Sequence, residues 1–244
     1  MMERSIALKA WEVRAIQAGK KTQVRRIACK GTIPAQYVTA LEYEPERWRL
    51  FDACSPGVAR AQYTMPRCPY GVPGDRLWIK EPFFIGEDLG EDWEPWMSQG
   101  DRFRYYPVGG DEVYDVPQDY LVPRRTREYH NSEGTPEHWR GFGPIPGPLM
   151  PRWASRLLLE VTAVRVERLG DISEMDAAAE GLESIQVSDG GESRWVNYAH
   201  PESRSNAFGD ARASYWSLWK KLYGPSASAT NPWLWAIEFK RVMS

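Results

Sequence analysis

Apolar positions along the chain follow two periods, separated by stretches that follow neither. Residues 5–9 read as a short strand. Residues 10–18 read as a short helix that turns Val13 and Ile16 inward and stops at Gly19. Residues 30–70 have weak periodicity and several prolines, and the pattern predicts only a helix near residues 34–41. Pro73-Gly74-Asp75 is a turn signal that launches the alternating run Arg76-Leu77-Trp78-Ile79-Lys80-Glu81, a strand. A further short strand is predicted at residues 103–106. The stretch 141–151, Gly-Phe-Gly-Pro-Ile-Pro-Gly-Pro-Leu-Met-Pro, is expected to hold no regular element, because proline removes donors and fixes φ.

The pattern becomes regular again from Arg156. Leu157, Leu159, Val161 and Ala163 share one face of a strand, and Val164 and Val166 continue on the opposite parity. Such a switch predicts a β-bulge, which lets a long strand bend around a small barrel. Ser173 followed by Asp176 resembles a helix start, and residues 174–180 form a short helix stopped by Gly181. Residues 183–207 read as a polar, flexible loop. Phe208, Ala211, Tyr215, Leu218, Trp219 and Leu222 follow helical spacing over about four turns. The last element, residues 233–240, alternates with Trp233, Trp235, Ile237 and Phe239 inward. Short bent strands among helices and long loops point to an α+β fold with a small β-barrel and flanking helices. A doubly wound sheet has no support.

The chain has 244 residues, which fits one decorated domain, and its 31 basic and 33 acidic residues leave a net charge of −2. With 42% hydrophobic and 26% charged residues it is a globular chain, and it is not globally basic. The charge is unevenly spread. Residues 1–31 hold eight basic against two acidic residues, so the other 213 carry −8. Residues 86–119 hold ten acids against Arg102 and Arg104 and read as a solvated excursion, a surface on which a protein partner can dock. Cys29, Cys54 and Cys68 are odd in number, widely spaced and without a cleavable leader, which predicts reduced thiols in a cytoplasm. No window reaches the roughly 20 apolar residues of a membrane span.

Several chemistries drop out. Gly19-Lys20-Lys21-Thr22 lacks the earlier glycine of a phosphate loop, where Arg14 stands, and follows a helix instead of a strand. Prolines 144, 146 and 148 prevent Gly141-Phe142-Gly143 from opening a dinucleotide-binding helix. No Gly-x-Ser-x-Gly elbow occurs. His130 and His138 have no cysteine partners nearby, so neither a metal nor any other cofactor is expected.

What remains is the basic segment Ala18-Gly19-Lys20-Lys21-Thr22-Gln23-Val24-Arg25-Arg26, and it resembles the N-terminal signature of ASCH domains in the PUA-like superfamily. The resemblance continues in Cys68-Pro69-Tyr70-Gly71 with Pro73-Gly74-Asp75-Arg76-Leu77-Trp78, and in Met150-Pro151-Arg152-Trp153-Ala154-Ser155-Arg156. It extends to Asp171-Ile172-Ser173-Glu174, Ala179-Glu180-Gly181 and Asn231-Pro232-Trp233 leading to Glu238-Phe239. These blocks are similar to ASCH proteins encoded by phages and prophages. They span one domain, residues 1–244, with insertions at about 82–148 and 183–207 that carry little of the match. The resemblance implies a PUA-like barrel with a cleft along the basic segment, binding RNA, DNA or a nucleobase. Some relatives hydrolyse N4-acetylcytidine and others are ribonucleases. The amidohydrolase branch works through a lysine, a threonine three residues on, and a glutamate after the following helix. These positions are Lys21, Val24 and Glu180 here, so the threonine is missing, and Thr22 is the hydroxyl left to substitute.

Read on their own chemistry, Lys21 can bind a phosphate or act as a base when desolvated. Glu180 is an anion in a helix's last turn, where the dipole disfavours it. Lys20, Arg25 and Arg26 can clamp phosphates, and Arg152, Trp153 and Arg156 combine cations with an aromatic face for a single strand. The expected function is binding of a nucleobase or single-stranded nucleic acid, RNA favoured. The alternatives are a hydrolase with Lys21, Glu180 and Thr22 as working groups, acting on a modified nucleoside or RNA, and a phage protein-interaction module.

Overall fold

A computed structural model describes residues 1–28, 38–44, 47–52, 62–64, 67–88, 104–107, 114–115, 128–130, 139–186 and 192–242. The chain begins with β1 (Glu3–Ala7), α1 (Ala10–Gln17), β2 (Gln23–Ile27), β3 (Val38–Glu44), β4 (Arg47–Asp52) and β5 (Gln62–Thr64). It continues through β6 (Arg76–Lys80), β7 (Phe83–Asp88), β8 (Arg104–Pro107), β9 (Tyr114–Asp115), β10 (Glu128–His130) and β11 (Trp139–Ile145). The last part holds β12 (Leu158–Arg168), α2 (Glu174–Ala179), β13 (Ser184–Gln186), β14 (Ser193–Trp195), α3 (Ala211–Tyr223), α4 (Pro225–Ala229) and β15 (Trp233–Arg241). The fold is α+β. Its contacts form two compact units: Met1–Met2, Ala18–Arg76 and Glu160–Lys240 in the first, and Glu3–Gln17, Leu77–Leu159 and Arg241–Ser244 in the second.

In the first unit the strand order is β12-β15-β2, and β15 pairs antiparallel with β2 so that Glu238 faces Gln23, Ile237 faces Val24 and Ala236 faces Arg25. Residues 234–237 of β15 are buried on both faces, Leu234 and Ala236 as well as Trp235 and Ile237. The expected inward-outward alternation is therefore corrected: the strand is covered on both sides, where alternation has no meaning. In β12 the buried side chains change parity, from Leu159 and Val161 to Val166, as the sequence pattern predicts. Asp75 ties down the turn before β6, its carboxylate accepting from the Met2 and Val72 amides at 2.7 and 3.3 Å. Gly71 is needed there: its φ is +101°, and a Cβ would lie 2.8 Å from Asp75 Oδ2.

Three loop or helix expectations are corrected. Residues 38–41 belong to β3, which pairs with β4 so that Leu41 faces Leu50, Glu42 faces Arg49 and Tyr43 faces Trp48. That two-residue alternation suits a hairpin and would be scattered around a helix. Residues 139–145 are strand β11 despite Pro144, which falls where the register shifts between Phe142 and Ile145 and so costs the ladder no donor. Residues 183–207 include the β13-β14 hairpin and the buried Val196 and Tyr198. The expected helix at residues 34–37 lies outside the described residues.

The second unit holds β1, residues 77–80 of β6, residues 158–159 of β12 and a five-stranded sheet, β10-β11-β7-β8-β9, drawn from the stretch expected to be an insertion. Phe83, Ile85, Ile145, Met150 and Ala154 form its apolar cluster. Gly147 packs against the backbone of Lys80 and Glu81, where a Cβ would meet atoms at 3.1 Å. In α1, Val13 and Ile16 are buried as expected, and Gly19 follows with φ +69°. Among the described residues each sheet has an open strand order, and no helix is long and apolar enough to cross a membrane.

Candidate functional site

Strand alternation puts Lys21, Gln23 and Arg25 into one polar cluster, while Val24 points to the opposite face and is buried there. From β15, Ala236 and Glu238 stand opposite Arg25 and Gln23. The short Ala236 leaves room for the guanidinium across the pair. Arg165 and Glu167 of β12 and Asp176 and Glu180 of α2 complete the cluster. Ser173 starts α2 by accepting from the Asp176 amide at 3.1 Å, and Gly181, with φ +79°, ends it one residue beyond Glu180.

At the centre, Lys21 Nζ donates to both the Glu180 carboxylate and the Glu180 main-chain carbonyl, each at 2.8 Å. The two residues also form an isolated β-bridge, and the Thr22 amide donates to the Ala179 carbonyl at 2.9 Å. The lysine thus covers the end of α2 with positive charge, which removes the unfavourable field on Glu180. Arg25 donates to Glu180 Oε1 at 2.8 Å, to Glu167 Oε1 at 2.5 Å and to Gln23 Oε1 at 3.2 Å. Its Nη2 lies 3.6 Å from Asp176 Oδ2 and makes no hydrogen bond. The outer layer is Arg165, paired with Glu167 at 3.2 Å, with Asp176 at 2.9 Å and with Glu238. Exposure grades outward: the side chains of Lys21 and Arg25 are 0% exposed, Asp176 22%, Arg165 31% and Glu238 35%.

Burial alone would lower the Arg25 pKa, but the carboxylates of Glu180 and Glu167 outweigh it and hold the guanidinium above its ordinary value. For Arg165 the same contest between burial and its partners Glu167 and Asp176 also ends in a raised value. Burial pushes the Asp176 carboxyl up, yet hydrogen bonds from Gln23 and Ser173 and the charge of Arg165 bring it below 3.8. The Tyr215 phenol is pushed well above its ordinary value by burial and then by Glu180. Its ring lies 5.9 Å from the Arg25 guanidinium carbon. The cluster is charged and internally paired, with Lys21, Arg25 and Arg165 set against Glu167, Asp176, Glu180 and Glu238.

The sequence-predicted residues divide. Lys21 and Glu180 meet directly, although 159 positions apart. Arg25 joins them, its guanidinium buried and paired with the Glu167 and Glu180 carboxylates, so it presents no exposed cation to a phosphate. Thr22 is exposed, and Lys20 is exposed beside it. Arg26 is half-buried and donates to the Arg25 carbonyl at 3.1 Å. In the second unit Arg156 is buried like Arg25, forming a bidentate pair with Glu81 at 2.8 and 3.0 Å with its side chain 4% exposed. Arg152 stays at the surface, paired with Glu3 at 3.2 Å and 5.8 Å from the Trp78 ring, and Trp153 is 40% exposed. The residues that sequence reasoning missed are Gln23, Arg165, Glu167, Asp176, Glu238 and Tyr215. The available signal was a charged pair of one parity, Arg165 and Glu167, alternating with the apolar Val164 and Val166 in β12. Among the described residues no group of three metal-ligating side chains occurs.

No protein-family model matches the chain, and no curated protein or solved structure matches it.

Proposed function

We propose that the chain is an ASCH domain of the PUA-like superfamily, and that it takes a nucleobase, free or in single-stranded RNA, at the rim of the Lys21–Arg25–Glu180 cluster. The observation that carries the reading is the 2.8 Å contact of Lys21 with Glu180. They are the two residues that the sequence resemblance implies are functional. The rim of Arg165, Asp176 and Glu238 offers donors and acceptors side by side, as the hydrogen-bonding edge of a base requires. A phosphate finds less to bind, because carboxylates surround both buried cations. On this reading β12, β15 and β2 form part of a PUA-like barrel, and the free Cys68 suits a cytoplasmic protein.

A second reading, hydrolysis of a modified nucleoside, is favoured by the same Lys21–Glu180 pair, whose carboxylate and ammonium can pass a proton to or from an attacking water. The threonine position of the resemblance is Val24, buried on the opposite face, and the Thr22 hydroxyl is exposed. The test is calorimetric titration with unphosphorylated nucleosides, acetylcytidine included, on the native protein and on Arg165→Met. One nucleoside should bind saturably, with affinity reduced about tenfold in the variant. Absence of binding by every nucleoside overturns the proposal, and turnover of acetylcytidine replaces it with the hydrolase.

A further inference from the structure

The two sides of α3 do different work. Ala211, Ser214, Tyr215, Ser217, Leu218 and Trp219 are buried. Ala213, Trp216, Ser217, Lys220 and Lys221, at helical spacing of three and four, line an open cavity of about 800 Å³. The facing wall is the turn from Asn197 to Pro201 together with Phe208.

Both walls are fixed by hydrogen bonds. Ser217 Oγ accepts from the Tyr198 amide at 3.0 Å, and Ser214 Oγ donates to the Val196 carbonyl at 2.7 Å, joining the turn to the helix. Trp195 and Phe208 exchange two main-chain bonds at 2.8 Å. The Tyr198 hydroxyl accepts from the Glu183 amide at 3.0 Å, which holds that ring against the cavity. Within the turn, the His200 amide donates to the Asn197 carbonyl at 2.9 Å.

The lining has one chemical character. Trp216, Phe208, Tyr198 and Pro201 give it flat and apolar surface, Lys220 and Lys221 give it positive charge, Asn197, His200 and Ser217 add polar groups, and no carboxylate contributes. Both lysines are exposed, at the end of the cavity set by the last turn of α3. An open, mainly apolar cavity of this size with a few polar groups is one form a small-molecule site takes.

We propose that this cavity binds a small molecule made of an aromatic ring carrying an anionic group, the ring against Trp216 and Phe208 and the anion at Lys220 and Lys221. It is separate from the nucleobase site proposed above and uses none of its residues. A nucleoside monophosphate and an aromatic carboxylate share this chemistry, so both are used as probes.

The experiment titrates adenosine monophosphate and indole-3-acetate into the native protein, following tryptophan fluorescence and heat, with adenosine and inorganic phosphate as the partial ligands. Lys220→Ala/Lys221→Ala changes only exposed side chains, and Ala213→Leu fills the cavity without altering charge. At least one full probe should bind more tightly than either partial ligand and lose affinity about tenfold or more in each variant. Its affinity should be unchanged in Arg165→Met, which marks this site as independent of the cluster. Preference for the monophosphate identifies a nucleotide, and preference for indole-3-acetate a carboxylate. The proposal is overturned if neither probe binds, or if binding survives both the double lysine variant and Ala213→Leu.

Discussion

Glu180 ends a helix whose dipole opposes its charge, and it is tolerated because Lys21 and Arg25 both point at it, each at 2.8 Å. Removing one member of a buried pair leaves an uncompensated charge, so Glu180→Ala should cost about 3–5 kcal/mol by urea denaturation. Lys21→Met should cost less, because Arg25 still neutralises the carboxylate. Asp176 adds a pH dependence with a definite sign. Its folded-state carboxyl titrates below 3.8, so its contribution is fully present above that value and is lost as pH falls through the lower folded one. Stability measured against pH should therefore fall at the acid end in the native protein and fall less in Asp176→Asn. Val24→Thr is expected to give no hydrolase, because the new hydroxyl points away from Lys21. It should destabilise by about 1–3 kcal/mol as a buried polar group without an arranged partner.

At the scale of elements, α2 and α3 pack together over the cluster, and each begins with a side-chain cap. Asp210 accepts from the Ala213 amide at 2.8 Å, so Asp210→Ala should lower the melting temperature through the loss of about 1 kcal/mol, without changing nucleoside affinity. Elements with strong local signals were legible in the sequence: α1 from Val13, Ile16 and Gly19, α2 from Ser173 and Gly181, α3 from its helical stripe. The β3-β4 hairpin was hidden by weak periodicity and neighbouring prolines, and β11 by Pro144, whose harmless position depends on a register that only the partner strand β7 sets. The candidate site was legible at Lys21 and Glu180 because a motif carries them. Arg165, Glu167 and Glu238 were not, since their roles arise from pairing across strands. The burial of Arg25 and Arg156 was not legible for the same reason, as pairing with a distant carboxylate leaves no mark on local sequence.

For the whole molecule, a net charge of −2 hides a basic N-terminal segment, but two of its cations, Lys21 and Arg25, are committed to internal carboxylates. Binding through this cluster should therefore depend on hydrogen bonds to a base more than on released counterions. Nucleic-acid proteins that grip phosphates lose affinity steeply with salt, whereas an uncharged nucleoside offers no phosphate to screen. The most direct measurement is the affinity of the best-binding unphosphorylated nucleoside at about 0.05 and 0.2 M salt, in the native protein and in Arg165→Met. The account predicts saturable native binding that changes less than about twofold with salt and is weakened by the variant. A nucleoside that fails to bind, while an oligonucleotide binds with a steep salt dependence indifferent to Arg165, would contradict it.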